Sequence, residues 1–274
     1  MKIFSKVKLH ESLRGHPQED FLFLSKKYPI FVVADGVTLN IKEGEEYPRK
    51  SGAFKAAKIF CETVITEAEK RYENFKKSDL PEIFEAGNRA VRDYNISCDR
   101  SENTINYYDI DLFSATASFV LIKDSKVFWF SLCDSYMAVY GKSGKQKFVS
   151  PDGWLYFPKN WEEGANTKEK IVIRHRDYRN AIDRGGRPSG YGVVSGQERA
   201  RNYLNRGALD VGEGDLVFLY TDGFENYFET KEFIELFRAW PENLGKKIDE
   251  IISKKSKEDL KKFGAEKTLI AIAI

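Results

Sequence analysis

The sequence predicts an α+β fold of two packed, mainly antiparallel sheets with helices on the outside, and three observations carry that expectation. Apolar residues gather in short runs rich in β-branched and aromatic types, as strands do. The two longest helical stretches follow one another directly between strand-like runs, so strands and helices do not alternate as they would in a parallel βαβ chain. With 274 residues and 42% hydrophobic content, the chain can bury a sizeable core without disulfides. A single domain over residues 1–274 is the simplest expectation.

In chain order, strands are expected at Phe21–Leu24, Pro29–Ala34, Ala115–Ile122, Val127–Leu132, Tyr136–Tyr140, Leu216–Tyr220 and Leu269–Ile274. A helix is expected from about Ser51 to Phe75, because Ala53, Ala57, Phe60, Val64, Ala68 and Tyr72 recur at steps of three and four and form one apolar face. The next helix starts near Asp79, read as an N-cap before Leu80 and Pro81, and turns Ile83, Gly87, Ala90 or Val91, and Tyr94 to a common side. Beyond Tyr140 the pattern breaks. Prolines and glycines punctuate an irregular insert at about 150–192, and a long irregular segment of this kind usually carries function. Helical character returns at about Ser195–Asn205, Lys231–Trp240 and Glu242–Phe263.

Composition excludes several classes of function. Lys plus Arg number 44 against 42 Asp plus Glu, a net +2, so the one-signed field of a non-specific nucleic-acid binder is missing. Cys61, Cys98 and Cys133 have no CxxC spacing, which argues against a disulfide framework and a zinc cage and suits a reducing cytoplasm. No signal-peptide pattern is recognised near Met1. No run approaches the roughly 18 apolar residues of a membrane span. Function is therefore sought in a local site.

The acidic residues supply one. Asp35-Gly36 ends the run Phe31–Ala34, and Asp222-Gly223 follows Leu216–Thr221. Each dipeptide alone reads more readily as a hairpin turn, since both residue types tolerate positive φ. Their company changes the reading: Glu19-Asp20 precedes the first strand, Asp134 lies between two central strands, and Glu266 precedes the last. Carboxylates gathered at one sheet edge repel one another and need cations, and oxygen donors of this kind select Mg²⁺ or Mn²⁺ over zinc.

Taken in order, Glu19-Asp20, Val33-Ala34-Asp35-Gly36, Ser114-Ala115-Thr116-Ala117, Asp134-Ser135, Gly190-Tyr191-Gly192, Thr221-Asp222-Gly223 and Lys267-Thr268-Leu269-Ile270 resemble the successive motifs of the protein phosphatase 2C family, over about residues 10–274. The resemblance implies a four-layer α/β/β/α sandwich with metals at one end. It implies that Asp35 bridges two Mn²⁺ or Mg²⁺ ions, that Gly36 (through its carbonyl) and Asp20 or Glu19 serve one of them, that Asp222 serves the other, and that Asp134 helps hold a third, weaker ion. The implied reaction is hydrolysis of phosphoserine or phosphothreonine in a protein by a metal-activated water, with Arg14 gripping the phosphate. The partners it implies are phosphorylated proteins, without nucleic acid or membrane, for a cytoplasmic signalling enzyme acting as a monomer.

Four departures from the family pattern stand out. Val37-Thr38-Leu39 follows Gly36 in place of the usual His or Met and glycines, and Cys133 replaces a glycine before Asp134. Arg14 is one residue too far from Glu19. Ala265-Glu266 stands where an aspartate usually leads, so Glu266 is expected to substitute as the ligand, with Gly264 supplying the necessary loop. Two other function classes follow from these departures: a catalytically weak relative that binds phosphoproteins or a partner, and a two-metal hydrolase of small phosphoesters. His16 is a loop residue close enough to be a proton donor. The basic run Arg174–Arg179, with Trp154, Tyr156, Phe157 and Trp161 upstream, reads either as a surface for a phosphopeptide or single-stranded nucleic acid or as a solvated loop.

Overall fold

In the computed structural model, residues 1–11, 15–39, 46–49, 51–158 and 168–274 are described. The strands are Lys2–Lys8 (β1), Phe21–Leu24 (β2), Ile30–Gly36 (β3), Ala115–Lys123 (β4), Lys126–Leu132 (β5), Tyr136–Tyr140 (β6), Gln146–Val149 (β7), Asn205–Asp210 (β8), Leu216–Tyr220 (β9) and Lys267–Ala273 (β10). The helices are Gly52–Arg71 (α1), Leu80–Ser97 (α2), Lys168–Ile173 (α3), Glu225–Phe228 (α4), Lys231–Ala239 (α5), Leu244–Glu258 (α6) and Leu260–Phe263 (α7). Two antiparallel sheets result, ordered β1-β10-β9-β6-β7 and β2-β3-β4-β5-β8.

Alternation along the central strands builds four layers. Ile30, Val32 and Ala34 of β3 face α1 and α2, while Phe31 and Val33 face the other sheet. In β10, Ile270 and Ile272 meet them between the sheets, and Leu269 and Ala271 face α5 and α6. Both faces of each sheet are therefore covered. That is why these antiparallel strands read as continuous apolar runs rather than as alternating ones.

All seven expected strands are present. The three that the pattern does not disclose, β1, β7 and β8, all lie at sheet edges, where charged and polar residues replace apolar content. Three helix expectations need correction. Asp79 does not cap α2: its Oδ2 accepts from the Lys76 amide at 2.7 Å and closes the short 3₁₀ turn Lys77–Asp79 that leads into the helix. Only Glu198–Tyr203 of the Ser195–Asn205 stretch is helical, as a 3₁₀ segment. The last helical stretch breaks at Asp259, whose extended backbone ends α6 and whose Oδ1 accepts from the Lys262 amide at 2.9 Å to start α7. No described helix is long and apolar enough to cross a membrane.

Candidate active site

The strand registers bring the acidic residues to one end of the sandwich. Phe21 pairs with Ala34, so the segment before β2 sits beside the end of β3; Leu269 pairs with Tyr220, so the start of β10 sits beside the end of β9. The turn from β5 to β6 crosses between the sheets at the same end, since Ala117 pairs with Leu132 and Asp35 with Thr116. Glu19, Asp20, Asp35, Gly36, Asp134, Asp222 and Glu266 thus gather from five separate segments. Arg14 and Trp161 lie outside the described residues.

Local packing fixes each donor differently. A Cβ on Gly36 would lie 2.8 Å from the Ala53 carbonyl carbon and the Glu19 carbonyl oxygen, so only glycine lets β3 run this close to α1. Cys133 adopts φ +59°, the left-handed conformation that glycine would adopt more readily. Asp134 follows it, and its Oδ2 accepts from Trp154 Nε1 at 3.1 Å. Asp20 is fully buried; its Oδ2 accepts from Thr221 Oγ1 at 2.9 Å, while Oδ1 has no hydrogen-bond partner.

Two of the expected ligands have other bonds. The buried carboxylate of Glu19 accepts from Tyr47 Oη at 2.7 Å, from Thr38 Oγ1 at 2.9 Å and from Ser51, the N-cap of α1. Glu266 accepts from the Glu19 amide through both oxygens and from the Asp20 amide through Oε1, each at 3.1 Å. Both residues brace the segment that carries Asp20. His16 lies against the Tyr47 ring at 4.5 Å, with Nε2 3.6 Å from Glu19 Oε2.

Charge crowding perturbs the cluster. Burial, then the charges of Asp20, Asp222 and Asp134, hold the Asp35 carboxyl well above the usual carboxylate range. Burial raises Asp20 to about 6, against the opposing hydrogen bond from Thr221. Burial, then the charge of Asp134, raises Asp222 to about 8 although the residue as a whole is exposed at the rim. Burial, then the charge of Asp20, raises Glu266 to about 7. Carboxylates this unfavourable as anions are stabilised by a cation among them.

Among the described residues no three His, Cys, Asp or Glu side chains form a group able to hold a metal ion by themselves. The oxygen-only donors nevertheless fit Mg²⁺ or Mn²⁺, which take one or two carboxylates and complete their shells with water. The unpartnered Oδ1 of Asp20 is a ready donor atom.

The raised values carry a sign. A carboxyl whose folded pKa lies above its unfolded pKa favours folding fully below the unfolded value, and that contribution is lost as pH rises through the folded value. Glu266 and Asp222 place the loss between about pH 4 and 8. The metal-free protein is expected to melt at falling temperature across that window, and Mn²⁺ is expected to restore the loss by displacing protons. A metal-free melting temperature that stays level or climbs from pH 5 to 8 would contradict the crowded cluster.

A cleft of about 160 Å³ opens beside these carboxylates, lined by Asp35, Gly36, Asp134, Trp154, Arg174 and His175 among others. The described residues of the insert, several of which line this cleft, are more regular than their sequence suggests. Trp154 stacks on Tyr191 at 4.9 Å, and α3 runs into a π-helical turn, Arg174–Tyr178. His175 Nδ1 donates to Asp111 Oδ2 at 2.7 Å and Arg179 donates to Asp111 Oδ1, all three residues being buried. Asp111 gives no sequence signal, because it lies in an irregular stretch far from its partners along the chain.

The sequence profile described as Protein phosphatase 2C matches residues 10–263. The chain belongs to the protein phosphatase 2C family. It is accordingly a metal-dependent protein phosphatase, and its two five-stranded sheets with flanking helices are the family's fold. No curated protein matches it by sequence. Among solved structures, it is similar to the catalytic domain of the serine/threonine protein phosphatase PstP in complex with two manganese ions, at 13% identity and TM-score 0.59, covering 99% of this chain and 96% of that one. Stp1, a serine/threonine phosphatase from Staphylococcus aureus, is similar at 14% identity and TM-score 0.59, covering 100% and 94%. RsbX in complex with magnesium is similar at 13% identity and TM-score 0.50, covering 98% and 92%. At these identities the likeness is one of fold.

Proposed function

We propose that this protein phosphatase 2C member is a single-domain, monomeric enzyme that removes phosphate from phosphoserine and phosphothreonine of cytoplasmic signalling proteins. Asp20, Asp35, the Gly36 carbonyl and Asp222 would hold two Mn²⁺ or Mg²⁺ ions, and Asp134 would lie at the edge of a third site. When bound, such ions supply Lewis acidity and a water of lowered pKa. Glu19 and Glu266 position the backbone around Asp20, and Asp35, on a central strand, faces the cleft where the phosphate enters. Trp154 holds Asp134 and closes one side of that cleft. Nucleic acid and membrane have no role in this reading.

The single observation that carries the proposal is the convergence of Asp20, Asp35, Asp134 and Asp222 on one end of the sandwich, beside the cleft that Asp35 and Asp134 line. Hydrolysis of a phosphothreonine peptide is expected only with added Mn²⁺ or Mg²⁺, and excess EDTA is expected to abolish it. Undiminished turnover in EDTA would refute a metal-dependent site. No phosphate release at saturating Mn²⁺ would instead mark a protein that binds phosphoproteins without hydrolysing them.

A further inference from the structure

We propose that Arg174, in the insert, grips the phosphoryl oxygens of the substrate in the metal cleft. The inference rests on the phosphatase reading and adds a substrate contact from the insert to the cleft that Asp35 and Asp134 line.

Arg174 lines the same cleft as Asp35, Gly36 and Asp134. Its Nε is buried and has no hydrogen-bond partner. A buried guanidinium N–H without an acceptor is unfavourable, and is retained where a ligand completes it. Asp111, the acid beside this turn, is not available to it, since its two oxygens are taken by His175 and Arg179. Arg100 also donates to the Asp111 carbonyl.

That network fixes the base of the turn. His175 and Arg179, one and five residues beyond Arg174, are both bound to Asp111, and π-helical turns of this kind recur at functional sites. Arg174 is thus presented from a braced segment. Its chemistry suits the ligand: a phosphoryl dianion entering this cleft meets the carboxylates of Asp35 and Asp134, and a planar guanidinium offers two parallel donors to two phosphoryl oxygens. A charge-assisted contact of this type is worth roughly tenfold to a hundredfold in affinity.

The test compares wild type, Arg174→Ala and Arg174→Lys, each loaded with Mn²⁺. Inorganic phosphate binding is measured by calorimetry, and KM and kcat are measured for p-nitrophenyl phosphate and for a phosphothreonine peptide. Arg174→Ala is expected to weaken phosphate binding at least tenfold and to raise KM for both substrates by a similar factor, with Arg174→Lys recovering part. Phosphate affinity and both KM values within twofold of wild type would overturn the proposal, as would a wild type that binds no phosphate. A KM raised for the peptide alone would assign Arg174 to the flanking peptide instead. A lowered Mn²⁺ requirement in Arg174→Ala would make it an internal counter-ion; both results are contrary to the proposal. Arg174-dependent phosphate binding in a protein that hydrolyses neither substrate would keep the grip and reject the hydrolase reading. Should Arg174→Ala show no cooperative melting, Arg174→Lys decides alone.

Discussion

Asp35→Asn is expected to lower kcat on a phosphothreonine peptide by at least ~10³-fold at saturating Mn²⁺, while the metal-free protein becomes more stable. The two effects share one cause. Asp35 sits at the end of a central strand, paired with Thr116, where its carboxyl is crowded by burial and by Asp20, Asp222 and Asp134. In the metal-free state that crowding favours the neutral carboxyl, so an isosteric amide removes repulsion at little steric cost. In the metal-loaded state proposed above the same charge would be shared by the two cations, and an amide oxygen would supply neither the charge nor the second anionic lone-pair set needed to hold them. A loss of about 4 kcal/mol of transition-state stabilisation corresponds to the ~10³-fold drop. The check is steady-state kinetics together with melting curves in EDTA. A folded Asp35→Asn protein turning over within tenfold of wild type would remove Asp35 from the bridging position.

The catalytic end was legible because its residues stand at the ends of buried strands, where sequence pattern is strongest. Asp35 and Asp222 end runs whose every position is buried or nearly so, and Asp20 lies one residue from the start of β2. The carboxylates follow from those strands by register alone. What hid was held by side-chain contacts between segments far apart in sequence. Asp111 meets His175 and Arg179 across 64 and 68 residues, and Tyr47 and Ser51 reach Glu19 across 28 and 32. No periodicity records such pairings. The edge strands hid for another reason: β1 carries three lysines among its seven residues, and so resembles a loop in composition while pairing with β10 along its whole length. Cys133 illustrates a third limit. Its left-handed backbone would have been announced by glycine, and the cysteine disguises a turn whose geometry is unchanged.

Glu266→Ala is expected to lower the melting temperature of the metal-free protein by roughly 4–8 °C and to raise the Mn²⁺ concentration for half-maximal rate by roughly tenfold to a hundredfold, through loss of positioning rather than loss of a ligand. Both Glu266 oxygens are engaged by the Glu19 and Asp20 amides at 3.1 Å, and a side chain bonded this way anchors the segment that presents Asp20. Removing it leaves two amides without acceptors in a partly buried setting, about 2 kcal/mol in total, and frees Asp20 to move. Glu266→Gln separates the two roles. One amide oxygen can still accept from both backbone N–H groups, so a positioning role predicts a Mn²⁺ requirement near that of wild type. A ligand role predicts that Glu266→Gln is as impaired as Glu266→Ala, because the anionic oxygen is lost in both, and that metal-free stability scarcely changes in either. Ala265→Asp adds the third comparison: a short carboxylate restored at the position where the family has one is expected to lower the Mn²⁺ requirement while Glu266 stays on its amides. Metal titrations of the three variants beside melting curves in EDTA decide between the roles. Equal impairment of the Gln and Ala variants, with unchanged metal-free melting, would return Glu266 to the metal shell.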